Sequence, residues 1–360
     1  MRTNTRCAHL IVGAAVVATA VSGCVSGGRT SNPDASGQDQ GCPFEVDEAV
    51  KSEVRIAYQH IPNGDLIVRD QQVLEKCMPN AKITWNKFAS GGDVIQAFGS
   101  DSADLGLIGS SPAAKALSAP LKEDMDIQVI WVHDLIGPAE SLAVKDKGIN
   151  DIQGLEGKKI AVPFASTAHY SLLTALDKAG MTGSDAPRLI NLAPDAMVPA
   201  WQRGEIDAAY VWDPVLTQLL ADGQTIYSSE DAAENGAPTF DLAAATRAFI
   251  SDNPEFMITW TRAQDWAVRQ IKEDPKTAAE SVGVQLGLDP AAVEKQFGGY
   301  TYLDASEQAG EDYFGGDAMG DNIEKSAEFL KDQGEVDAVG KDEDYVAGVY
   351  PDAITEVAAR

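Results

Sequence analysis

The chain has 360 residues, with 28 Lys+Arg against 55 Asp+Glu and a formal net charge of −27. That balance excludes a nucleic-acid binder, because phosphates are neutralised by Lys and Arg. With 44% hydrophobic residues, the chain is long enough to bury the cores of two ordinary domains.

The N-terminus bears on the compartment. Arg2 and Arg6 precede an apolar run, Leu10 to Val21. The run is shorter than the ~20 residues a transmembrane helix needs and reads as a signal-peptide h-region. It ends in "AVSGC", which resembles the lipobox of bacterial lipoprotein signals. Residues 1–23 are therefore expected to be a lipoprotein signal peptide. Cys24 would be lipidated and would hold the protein on the outer face of the cell membrane; an ordinary secretory signal is the alternative. Residues 24–42 contain mostly Gly, Ser, Asn, Asp and Gln, the composition of a flexible tether.

Outside the signal and the lipidation site, Cys42 and Cys77 remain as one pair. In an oxidising compartment a disulfide is expected, with two buried free thiols as the alternative. No Cys/His spacing suggests a metal site.

Strand-like runs follow at 54–59, 82–88, 104–109, 127–133, 141–145, 158–164, 188–192 and 208–212, with amphipathic or Ala-rich segments of helical length between most of them. Such alternation predicts an α/β fold with helices on both faces of parallel or mixed sheets. After about residue 240 the pattern is mostly helical. Gly and Pro in 133–141 and 234–241 mark two crossovers. Domain I is expected over 43–136 plus 240–360, and domain II over 137–239. Ligands bind at such interfaces. Residues 304–360 hold 16 acids and 4 bases and read as a solvated face.

No nucleophile elbow, HExxH, P-loop or GxGxxG is present, so catalysis finds little support and no cofactor is implied. Two strand-to-helix turns stand out. In "LIGSSPAAKAL" (107–117), Ser110 and Ser111 precede an Ala-rich helix, with Ser111 placed as N-cap and Pro112 as N1. In "VPFASTAHYSLL" (162–173), Ser166 and Thr167 precede a helix, with His169 in its first turn. Free N–H groups and the positive helix end make each turn an anion site, although plain capping explains each one alone. Glu140 and Asp241 lie at the two crossovers, and Asp213 follows "AAYVW". A ligand with an anionic head and an ammonium tail would fit, its spacer walled by Trp212, Phe164 and Tyr170.

At these residues the sequence resembles the taurine-binding proteins of bacterial ABC importers, relatives of aliphatic sulfonate- and nitrate-binding proteins. The resemblance runs from about residue 54 to the end, and rests on "WNKFASGGDVIQAFGSDSADLGLIGSSP" (85–112), "ESLAVK" (140–145), "DIQGLEGKKIAVPFASTAHYSLLTAL" (151–176), "AWQRGEIDAAYVWDP" (200–214), "GAPTFD" (236–241) and "TYLDASEQ" (301–308). It implies a type II periplasmic-binding-protein fold with a two-strand hinge, capture of taurine and delivery to an ABC permease, by a protein expected to be monomeric. It places Ser110 and Ser111 on the sulfonate, with Ser166, Thr167 and His169 facing them from the other lobe. It places Glu140 and Asp241 near the amine. Gln59 ends the first strand-like run, but its His60-Ile61-Pro62 continuation need not copy the family's first loop. Asp213, in "VWDP", stands where an apolar residue would suit a pocket whose amine is already paired. Other aliphatic sulfonates or small amine-bearing organic anions are the alternative ligands, and an enzyme on the same fold is a more remote reading.

Overall fold

The computed structural model describes residues 41–360 apart from Thr182, Ser184 and Asp185. The expected signal peptide, Cys24 and all of the tether up to residue 40 lie outside the described residues. Strands form at β1 (Glu53–Tyr58), β2 (Lys82–Lys87), β3 (Leu105–Leu107), β4 (Ile127–Ile136), β5 (Glu140–Val144), β6 (Lys159–Val162), β7 (Arg188–Asn191), β8 (Ala208–Trp212), β9 (Gln224–Ser228), β10 (Phe240–Thr246) and β11 (Tyr300–Thr301).

They assemble into a 6-stranded sheet, order β11-β4-β10-β3-β1-β2, and a 5-stranded sheet, order β7-β6-β8-β5-β9. In the first sheet β1 is parallel to β2 and β3, while β10 runs antiparallel to β3 and β4. In the second, β6 is parallel to β7 and β8, while β5 is antiparallel to β8 and β9. Val54, Ile56, Leu142, Val144, Ile160 and Val162 are fully enclosed, as expected for strands covered on both faces. Strands up to Ile136, joined by β10 and β11, make the first sheet, and those from Glu140 to Ser228 make the second. Residues 41–360 pack as a single compact unit.

The long helix Pro254–Glu273 shows how sequence becomes packing. Pro254 sits at its start, and Phe256, Met257, Trp260, Ala263, Gln264, Ala267, Val268 and Ile271 are buried. Their spacing follows one face of a 3.6-residue period.

Three strands escaped the sequence pattern. β10 carries "AAAT", and Ala favours helix when nothing else decides. Burial decides here, because the small Ala243 pairs across the sheet with the large Trp131, and both are fully buried. β9 is an edge strand with a half-exposed pattern, and β11 is only 2 residues long. The run expected at 127–133 continues to Ile136, so the chain between the sheets is reduced to Gly137, Pro138 and Ala139. Cys42 and Cys77 are joined by a disulfide with sulfurs 1.99 Å apart. No helix among the described residues is long and apolar enough to cross a membrane.

Candidate functional site

A narrow, partly open cavity, with about 290 Å³ of space between atoms including open solvent, lies where strand ends of both sheets converge. Gln59, Ile61, Gly91, Ile108, Ile136, Asp241 and Tyr300 line it from the side of the first sheet, and Glu140, Ser166, Thr167 and Trp212 from the second. Gln59 follows β1, Ile108 follows β3, and Trp212 ends β8. Ligands of open α/β sheets sit outside such carboxyl ends.

Two helices start at this cavity. Gly91–Gly99 is capped by Ser90, whose Oγ accepts from the Asp93 N–H at 3.4 Å. Gly91 is required by close approach: a Cβ there would lie 1.9 Å from the Ile108 carbonyl oxygen. Thr167–Lys178 is capped by Ser166, whose Oγ accepts from the His169 N–H at 3.1 Å and donates to the Pro163 carbonyl at 2.6 Å. Thr167 Oγ1 donates to Glu140 Oε2 at 2.7 Å. Both hydroxyls of this turn are thus engaged within the protein. What the helix ends offer a ligand is backbone N–H groups without intrahelical partners and the positive dipole end.

The cavity is also acidic. Glu140 is 1% exposed, and its Oε1 accepts from Ser229 Oγ at 2.8 Å. Burial pushes its pKa up to about 7, opposed by the Thr167 and Ser229 hydroxyls. Asp241 is 6% exposed, and burial, reinforced by Glu140, holds its carboxyl well above the usual carboxylate range. Behind it, on β4, stands Asp134 as its direct cross-strand partner. Asp134 is completely buried, and burial, then Asp241, then Glu140 raise its pKa strongly. Trp212 pairs with Glu140 across β8 and β5 and supplies an aromatic wall.

Of the residues singled out from the sequence, Gln59, Glu140, Ser166, Thr167, Trp212 and Asp241 meet at this cavity, whereas Ser110, Ser111, His169 and Asp213 do not line it. The helix Ser110–Ala116 is capped by Gly109, at φ 85°, rather than by Ser111. Only glycine adopts that conformation at little cost, so the helix begins earlier and Pro112 falls third in it. Ser110 Oγ accepts from the Phe240 N–H at 3.2 Å, tying the turn to β10. Asp213 turns away and accepts from the Thr217 N–H at 3.0 Å and Oγ1 at 2.6 Å. His169 stacks on Phe164 at 4.6 Å, with rings 10° from parallel. Burial pushes its pKa down to about 4, so at neutral pH it carries no charge for an anion. Phe164 is 37% exposed, and Tyr170 packs edge-on against Phe329 at 5.3 Å; neither lines the cavity.

Sequence reasoning missed Gly91, Ile61, Ile108, Ile136, Tyr300 and Asp134. "SGGD" at 90–93 carries an N-cap signal of the kind used for the other turns and could have been found. Nothing local marks Tyr300, on a two-residue strand, or Asp134, inside an apolar run.

Residues 82–278 match the family model described as NMT1/THI5 like. The chain is 35% identical over 310 residues to the taurine-binding periplasmic protein of Escherichia coli, covering 83% of this chain and 92% of that one. It is 28% identical over 242 residues to a putative aliphatic sulfonates-binding protein of the same organism, covering 66% and 74%. Among solved structures, the alkanesulfonate-binding protein SsuA of Xanthomonas axonopodis pv. citri, bound to MOPS, superposes with a TM-score of 0.67 at 22% identity. That superposition covers 84% of this chain and 99% of the other, and speaks for the fold. With more than half of its length inside the family model and a full-length taurine-binding relative, the chain belongs to the NMT1/THI5 like family.

Proposed function

We propose that this protein is an extracytoplasmic binding protein that captures taurine, or a closely related amine-bearing sulfonate, and delivers it to the permease of an ABC importer. The observation that carries the reading is that one cavity combines helix N-termini at Gly91 and Thr167 with the buried carboxyls of Asp241 and Glu140. A sulfonate stays anionic at physiological pH and needs only donors. An ammonium group taken out of water needs acceptors, and Asp241 and Glu140 can supply them. The names of the relatives support the same ligand class.

In this reading 43–136 plus 240–360 and 137–239 are two lobes hinged at Gly137–Ala139 and at the chain entering β10. Contacts such as Tyr170 with Phe329, and Lys87 Nζ with Asp195 Oδ2 at 3.4 Å, would break on opening. A monomer held to the membrane through lipidated Cys24 completes the picture; "AVSGC" is its support. No catalytic step is assigned, as the cavity's polar groups suit holding a zwitterion and the relatives are named as binding proteins.

Calorimetric titration with taurine, homotaurine, ethanesulfonate, sulfate and nitrate tests the proposal. Taurine is expected to bind at least ~30-fold tighter than ethanesulfonate, the cost of leaving buried charge unpaired. Equal affinity for the two would shift the assignment to simple aliphatic sulfonates.

A further inference from the structure

Resting on the reading above that the ligand carries an ammonium group, we propose that Asp134 and Asp241 share one proton in the free protein and release it when that ammonium arrives. Asp134, which does not itself line the cavity, is then a specificity-determining residue for amine-bearing over amine-free sulfonates.

The geometry is that of a cross-strand pair. Asp241 of β10 lies directly opposite Asp134 of β4, so both side chains leave the same face of the sheet with Cβ atoms ~4.5–5.5 Å apart. Two carboxylates that close in a dry site cannot both ionise without a cation. Among the described residues no Lys, Arg or His forms an ion pair with Asp134, Asp241 or Glu140; the buried His133 is turned to Asp65, 3.6 Å away. Both oxygens of Asp134 are buried without a hydrogen-bond donor, a costly state for a charged carboxylate. A proton held by the pair lowers that cost.

The surroundings supply nothing else positive. Glu140 faces the pair from β5, and Tyr300 and Tyr302, on β11 and the residue beyond it, lie near both acids and near Asp213. His133, next to Asp134 on β4, is held neutral by burial, its pKa pushed down to about 3. A second observation points to an absent partner: Tyr300 lines the cavity, is only 7% exposed, and its hydroxyl has no hydrogen-bond partner. These acids are not arranged as a cation cage, since no group of His, Cys, Asp and Glu among the described residues is placed to hold a metal ion.

The charge account is simple. An entering ammonium keeps its own protons and brings one positive charge. The carboxylic O–H bond of the pair breaks, its proton passes to water, and two carboxylates face the cation. A sulfonate without an amine brings no positive charge, so the pair keeps its proton.

The test is titration of the chain with taurine at pH 7 in buffers of different ionisation enthalpy. The expected result is release of about one proton per taurine and none with ethanesulfonate. Taurine affinity then rises about tenfold per pH unit between pH 6 and 8, because each released proton adds one unit of slope. Asp134→Asn, a neutral isostere of the protonated acid, is expected to abolish both the release and the slope. Taurine binding without proton release overturns the proposal, and so does release that persists in Asp134→Asn, which would locate the proton elsewhere.

A readout without ligand separates this from the functional reading. The free protein at pH 7 should show the infrared carbonyl band of a protonated carboxylic acid that is missing in Asp134→Asn and in Asp241→Asn. Its absence from the wild-type chain refutes the shared proton even if taurine binds, whereas its presence with no taurine binding refutes only the ligand. The proton count on taurine binding, read on the wild-type chain, keeps the test decisive should either variant fail to fold.

Discussion

Replacing Asp241 with Asn should weaken ligand binding and stabilise the free protein at the same time. The side chain lines the cavity, is 6% exposed, and burial, with Glu140 nearby, raises its pKa well above the carboxylate range. For affinity, removing one member of a buried charge pair costs about 2–5 kcal/mol. Asp134 and Glu140 remain to receive part of the ammonium's charge, which places the loss near the lower end, about 2–3 kcal/mol or ~30–150-fold in Kd. For stability the sign runs the other way. The folded-state pKa lies above the unfolded ~3.9, so the native state binds more protons than the unfolded one. Stability is then lost as pH rises from ~4 through the raised pKa. Asn removes that loss without leaving a cavity, so the melting temperature of ligand-free protein should rise at pH 7–8 and stay nearly unchanged at pH 4. The assay is calorimetric titration with taurine beside thermal melts at both pH values. Unchanged taurine affinity, or a melting temperature that falls at pH 8, would refute the reasoning.

Other outcomes follow from the same geometry. Removing the Cys42–Cys77 bridge by a double Ser substitution frees a loop with a sequence separation of 35; chain entropy sets the cost at about 4 kcal/mol, or ~6 °C in Tm for a chain of this size, measured by melts against the oxidised protein. Gly91→Ala should lower stability by about 1–3 kcal/mol through overpacking and abolish binding, because the new Cβ meets the Ile108 carbonyl at the mouth of the helix; calorimetry and a denaturant titration check both. His169→Ala should leave taurine affinity within ~3-fold of wild type, since the imidazole stacks on Phe164 outside the cavity; a loss near 100-fold would return His169 to the ligand.

Much of the fold was legible because its signals are local. Period-2 and continuous apolar runs identify strands, and eight of them were readable this way. The Ser166 cap could be read because a side-chain oxygen before an apolar helix satisfies an orphan N–H, and that bond forms. Glu140 and Asp241 drew notice as acids at crossovers, and both line the cavity. Other features could not be read in this way. Ala243 is strand because Trp131 stands opposite it. Ser111 lost the cap to Gly109, whose backbone angle is set by the turn. Asp213 was taken up by Thr217, one helical turn on.

The sequence by itself determined an acidic α/β chain with few means for catalysis, the Ser166-capped turn and carboxylates at the points where the chain passes between sheets. Those properties follow from composition and from interactions within a few residues along the chain. The tertiary structure alone decided which of the polar groups face a common space. It gave Ser110, Asp213 and His169 other partners within the protein, and brought Gly91, Tyr300 and Asp134 to or behind one cavity from segments far apart in sequence. Which acid stands opposite which depends on antiparallel register between β4 and β10, a pairing more than 100 residues apart in sequence that no local pattern encodes.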